Sequence, residues 1–122
     1  MRKWLLASIV LMLSLTACAG AGNPAETVER YLQAKIAGDA AAIRGLLCSA
    51  LEANAENEAL SFSTVSGVQI EDMQCRYNES ASIVTCSGQI VATYGEENVV
   101  FPLSSYAVVQ EDGEWKWCGE AR

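Results

Sequence analysis

Tyr106-Ala107-Val108-Val109-Gln110-Glu111-Asp112-Gly113-Glu114-Trp115-Lys116-Trp117 reads as two strands and the turn between them. β-Branched and aromatic residues flank Glu111-Asp112-Gly113, and Asp-Gly suits a tight hairpin turn because its residues tolerate positive φ. Upstream of this hairpin the same alternation of apolar and polar residues reaches back to Thr64. Four strands are expected, near 65–78, 82–94, 98–110 and 114–119, with turns at Asn78-Glu79-Ser80-Ala81, Gly95-Glu96-Glu97-Asn98 and the Asp-Gly pair. In the first strand the apolar parity moves from Val68 and Ile70 to Met73, Cys75 and Tyr77, which predicts a bulge near Glu71-Asp72. Long bulged strands bend, so the sheet should be curved.

Before Thr64 the period is helical. Asn23-Pro24-Ala25-Glu26 supplies an N-cap, a proline at the first helical position and a Glu placed to reach back to the cap. Val28, Tyr31, Leu32, Lys35 and Ile36 follow helical spacing until Gly38. Asp39 can cap a second helix with Ile43, Leu46, Leu47 and Cys48 as its buried stripe, and Ser49 with Glu52 repeats the capping pattern ahead of Leu51 and Ala55. The stretch 54–63 carries no clear signal. The expected class is α+β, with two or three N-terminal helices packed on a curved four-stranded antiparallel meander.

The first residues are of another kind. Arg2-Lys3 precedes an apolar run from Trp4 to Leu15, a secretory leader too short for the roughly 18 residues of a spanning helix. Leu15-Thr16-Ala17-Cys18 resembles a bacterial lipobox, which implies cleavage before Cys18, diacylglycerol on its sulfur and, usually, acylation of the new amino terminus. An ordinary signal peptide with a chance cysteine is the other reading. The expected division is a leader over 1–17, a lipidated cysteine and short linker over 18–23, and one α+β domain over 24–122. Six steps of Gly-rich chain from Cys18 to Pro24 reach at most about 20 Å and average nearer 13 Å, so the domain is expected close to its membrane. The implied location is the extracytoplasmic face of the cell envelope, at the outer membrane if the host has one, with which Ala19 is compatible.

Without the leader, six basic residues remain against fifteen acids, a formal charge of −9. Such a surface repels nucleic acid and anionic headgroups, so neither is an expected partner, and membrane attachment falls to lipid on Cys18. The acids are scattered, as on a solvated face.

Cys48, Cys75, Cys86 and Cys118 are an even set in a small exported domain, which favours two disulfides. A zinc site is the alternative, but there is no CxxC pair and no histidine. A first hairpin centred between Ser80 and Ala81 sets Cys75 beside Cys86. Centring the second between Glu96 and Glu97 sets Cys86 beside Ala107, and the Asp-Gly turn sets Ala107 beside Cys118. Strands about 4.8 Å apart leave Cys86 and Cys118 near 10 Å, beyond disulfide reach. Cys75 therefore pairs with Cys86, and Cys48 is left for Cys118.

The order of helices and strands resembles the nuclear transport factor 2-like superfamily of cystatin-like α+β rolls. The residues that carry the resemblance are Val28-Glu29-Arg30-Tyr31-Leu32, Ala37-Gly38-Asp39 and the closing hairpin 106–117 with its Glu-Asp-Gly-x-Trp pattern. Enzymes of that superfamily place acid–base residues, often His with Asp or Tyr, inside the cone between helix and sheet. Here histidine is absent, leaving Tyr31, Tyr77, Tyr94, Tyr106 and the pair Glu71-Asp72. Adjacent strand residues point to opposite faces, so Glu71-Asp72 fits a bulge better than an acid–base pair. Glu96-Glu97 and Glu111-Asp112 read as solvated turn charges.

No GxSxG, phosphate loop, dinucleotide fingerprint or EF-hand spacing occurs, and no catalytic residue, metal or cofactor is expected. The aromatic residues are the functional candidates. The pairing above places Trp115 and Trp117 opposite the cysteine row, where they form an exposed patch if helices cover the cysteines, or core if that parity is off. Tyr31 and Phe62 either line a cavity at the mouth of the cone or pack as core and rim. The expected function is a non-enzymatic envelope lipoprotein that binds a small ligand or an envelope protein near the membrane. An assembly protein using the Trp115/Trp117 face, and an enzyme with a carboxylate or tyrosine site in the cavity, are the alternatives.

Overall fold

The structure, a computed structural model, describes residues 22–122. The leader and Cys18 lie outside the described residues. Helix α1 spans Pro24–Ala37, α2 Ala40–Leu46 and α3 Ala55–Ala59, with a 3-10 helix at Ser49–Asn54 between the last two. The strands are β1 Ser66–Asn78, β2 Ile83–Tyr94, β3 Glu97–Pro102, β4 Ser105–Glu111 and β5 Glu114–Glu120. The class is α+β with one antiparallel sheet, of five strands rather than four. None of the described helices is long and apolar enough to cross a membrane.

The helix ends follow from their residues. Asn23 accepts the Ala25 amide at 2.9 Å, and Pro24 occupies a position whose amide needs no partner. Gly38 ends α1 in the left-handed conformation, at φ 67°, and its amide and that of Asp39 close on the last carbonyls of the helix. Asp39 then caps α2 through the Ala42 amide at 3.0 Å. The expected stripe of α2 is only partly helical. Leu47 and Cys48 are buried but extended, and they run parallel to β5, with the Cys48 amide donating to the Trp117 carbonyl at 2.9 Å. The second capping pattern also resolves differently, since Ser49 makes no cap and bonds instead to Glu111 of β4.

β1 and β2 form a hairpin in the expected register, with Cys75 opposite Cys86 and Tyr77 opposite Val84. The register shifts twice, between Ser66 and Gln69 and, at the expected bulge, between Glu71 and Gln74, where Asp72 takes φ 55° and two residues oppose Gly88. A Cβ built on Gly88 would stand 2.6 Å from the carbonyl oxygens of Glu71 and Asp72, so the bulge closes only over a glycine.

The expected third strand is two strands. β3 pairs with the far half of β2, Gln89 to Tyr94, and β4 with its near end, Ile83 to Thr85, the break falling at Leu103-Ser104. The turn between β2 and β3 is centred one residue earlier than expected, and the break shifts the register again. Ala107 consequently faces Ile83, and Cys86 donates its amide to Ser104. The cysteine row Cys75, Cys86, Ala107, Cys118 does not form. An odd register error exchanges the faces of everything beyond it, which corrects the placement of the tryptophans. Val84, Cys86, Tyr106, Val108 and Trp117 all belong to the one core that α1 covers.

The structure contains disulfides Cys75–Cys86 and Cys48–Cys118, with Cα atoms 4.0 and 5.2 Å apart. The pairing survives the register error because β4 stands between β2 and β5 in any register, and one intervening strand already puts Cys86 out of reach of Cys118. The second bridge ties the segment after α2 to the strand it lies beside.

Candidate functional site

α1 presents Tyr31 to the sheet. The side chain is fully buried, its ring stacked on Trp117 of β5 at 3.9 Å and 14°. Tyr106 of β4 lies 6.1 Å from the same indole. These three rings form the floor of a cavity of about 340 Å³ between α1, α3 and the sheet. Phe62 and Phe101, edge to face at 5.9 Å, stand at its mouth with Leu103 and Pro102. Both Tyr31 and Phe62, singled out from the sequence, line this cavity.

Its polar groups come from three elements. The Tyr31 hydroxyl donates to a Glu58 carboxylate oxygen from α3, and Lys35, one turn along α1, meets the same oxygen at 3.1 Å. The Lys35 ammonium also lies 5.8 Å from the centre of the Tyr31 ring. Glu120, at the end of β5, completes the lining. Burial, reinforced by the bond to Glu58 and its charge, pushes the Tyr31 hydroxyl far above the ordinary tyrosine value. Tyr106 is raised as well, chiefly by burial, while its oxygen accepts the Ser104 amide at 3.1 Å. Both phenols stay protonated at any physiological pH. Buried Trp117 Nε1 has no hydrogen-bond partner within the protein, a cost of roughly 1–3 kcal/mol.

The two tryptophans do not form an exposed face. Trp117 is buried, and Trp115 is half-buried with its ring 5.3 Å from Tyr77. The exposed large apolar side chains lie elsewhere, at Leu60, at Val109 of β4, and at Tyr94, Val100 and Phe101 around the β2–β3 hairpin. Glu71 and Asp72 sit in the β1 bulge, where Glu71 accepts from Gln89 at 3.1 Å. No cluster of three metal-ligating side chains occurs among the described residues.

The cavity also takes Lys35, Glu58, Phe101 and Glu120, which no motif in the sequence marks as site residues. The spacing of Tyr31 and Lys35 on one helical face was available, but Glu58 lies in the stretch without a periodic signal, and Phe101 and Glu120 depend on the register. Comparison with known proteins finds no family model that matches this chain and no match among curated proteins.

Proposed function

We propose that the chain is a non-enzymatic lipoprotein of the cell envelope, a roll of the nuclear transport factor 2-like, cystatin-like kind held near its membrane by lipid on Cys18. Its role is to bind a small molecule in the cavity beside Trp117. The observation that carries this is the lining: aromatic and aliphatic side chains with a few convergent polar groups, the composition of a ligand pocket.

A catalytic use of the same cavity is less well supported. Its most perturbed group, Tyr31, is shifted upward, which fixes it as a neutral donor to Glu58, whereas a tyrosine that moves protons near neutral pH needs its pKa brought down. Assembly through Trp115 and Trp117 is disfavoured by the burial of Trp117. A protein-binding role finds better support in the exposed Tyr94, Val100 and Phe101, and predicts a complex through the β2–β3 hairpin.

The test is native mass spectrometry of the chain purified from its own membrane, followed by denaturation. A reproducible small-molecule mass lost only on denaturation is expected. A clean protein mass in repeated preparations, with the same protein co-purifying each time, would replace the ligand reading with the partner one.

A further inference from the structure

We propose that the cavity beside Trp117 takes a small organic ammonium ion, with the Glu120 carboxylate as its counter-charge. This rests on the reading of the cavity as a ligand site and adds the chemical class of the ligand.

Three charged side chains line the cavity: Lys35, Glu58 and Glu120. Two of them answer each other, since Lys35 lies 3.1 Å from Glu58, and Glu58 also accepts the Tyr31 hydroxyl. Among the described residues no ion pair engages Glu120, so the charge left without a partner is negative. Its charge adds the smallest of several contributions to the upward shifts of the Tyr31 and Tyr106 phenols, which burial dominates.

The walls favour the same sign. Aromatic faces carry negative charge density and attract ammonium groups, and the accessible rings of Phe62 and Phe101 line the cavity. An anion would have to take Lys35 from Glu58 and leave that carboxylate near Tyr31 without its cation. Glu120 is exposed and stays hydrated, so a neutral molecule gains no charge contact from it. A cation is repelled by Lys35 but meets two carboxylates, a lining of net negative charge, and the excess of fifteen acids over six basic residues beyond the leader draws it to the domain.

The experiment is an NMR titration of the full chain in nonionic micelles with three molecules of one shape: choline, its uncharged carbon isostere dimethylbutanol, and dimethylbutanoate. Choline should bind at least about tenfold more tightly than the isostere, with shifts at Trp117 and Phe62. Glu120→Gln should cut that preference at least about threefold, and Glu79→Gln, in the β1–β2 turn, should keep it whole. Equal binding of choline and the isostere, or preferred binding of the anion, would overturn the ammonium class and leave the cavity as a ligand site. Shifts at Trp117 from none of the three would overturn both.

Discussion

Tyr31 concentrates more of this molecule than any other side chain, because one face of its ring holds Trp117 while its hydroxyl holds Glu58 and, through it, Lys35. Tyr31→Phe keeps the stacking and removes the donor. It should cost about 1.5 kcal/mol, the low end for a hydrogen bond to a charged group because Glu58 is partly solvated, read as a lower urea midpoint with an unchanged slope. Glu111 is a second such point. It accepts both the Ser49 amide, at 2.8 Å, and the Ser49 hydroxyl, at 2.7 Å, and these bonds hold its pKa below the usual 4.5. A carboxylate with a lowered folded-state pKa adds stability above its unfolded value and loses it as pH falls through the folded one. Amide exchange around Ser49 and Leu51, compared with that of the sheet, should therefore quicken below about pH 4 in the wild type. Glu111→Gln should show the quicker exchange already at neutral pH.

At the scale of elements, the β1 bulge and Gly88 are one device. Gly88→Ala meets two carbonyl oxygens at 2.6 Å and a φ of 104°, so it should destabilise by roughly 3 kcal/mol, strain and overlap together. An equilibrium unfolding curve decides this, and a loss under 1 kcal/mol would mean that the bulge opens freely. The disulfides separate by span, 70 residues for Cys48–Cys118 against 11 for Cys75–Cys86. Chain entropy gives about 4 and about 3 kcal/mol, so the double alanine variant of the longer bridge should melt lower. The bulge was legible because apolar parity changes within one strand, from Ile70 to Met73. The break at Leu103-Ser104 has a similar signal, Pro102 and a parity change from Phe101 and Leu103 to Tyr106 and Val108, but Ala107 and Val109 continue the odd-numbered apolar positions and mask it. That hidden shift reversed the expected faces of Trp115 and Trp117, whereas the helix caps Asn23, Gly38 and Asp39 are local and read correctly. Glu58 carries no sequence signal because α3 is only five residues long, too short for a helical period to show.

For the whole molecule, one core joins α1, α2, the start of α3 and the sheet, and what it leaves unfilled is the cavity over Trp117. The proposed attachment is separable from this core: Cys18→Ser should move the protein from the membrane pellet to the soluble fraction while its thermal unfolding stays the same, as read by fractionation and circular dichroism. The two tryptophans of the domain are the natural reporters of function, one buried on the cavity floor and one half-buried beside Tyr77. The decisive measurement is a two-dimensional spectrum of the indole N–H resonances of the full chain, recorded before and after addition of a small-molecule extract of the host envelope. A ligand in the cavity predicts that the Trp117 indole shifts and the Trp115 indole stays in place. A shift of Trp115 alone, with Trp117 unmoved, would contradict the cavity and return function to the surface of the sheet.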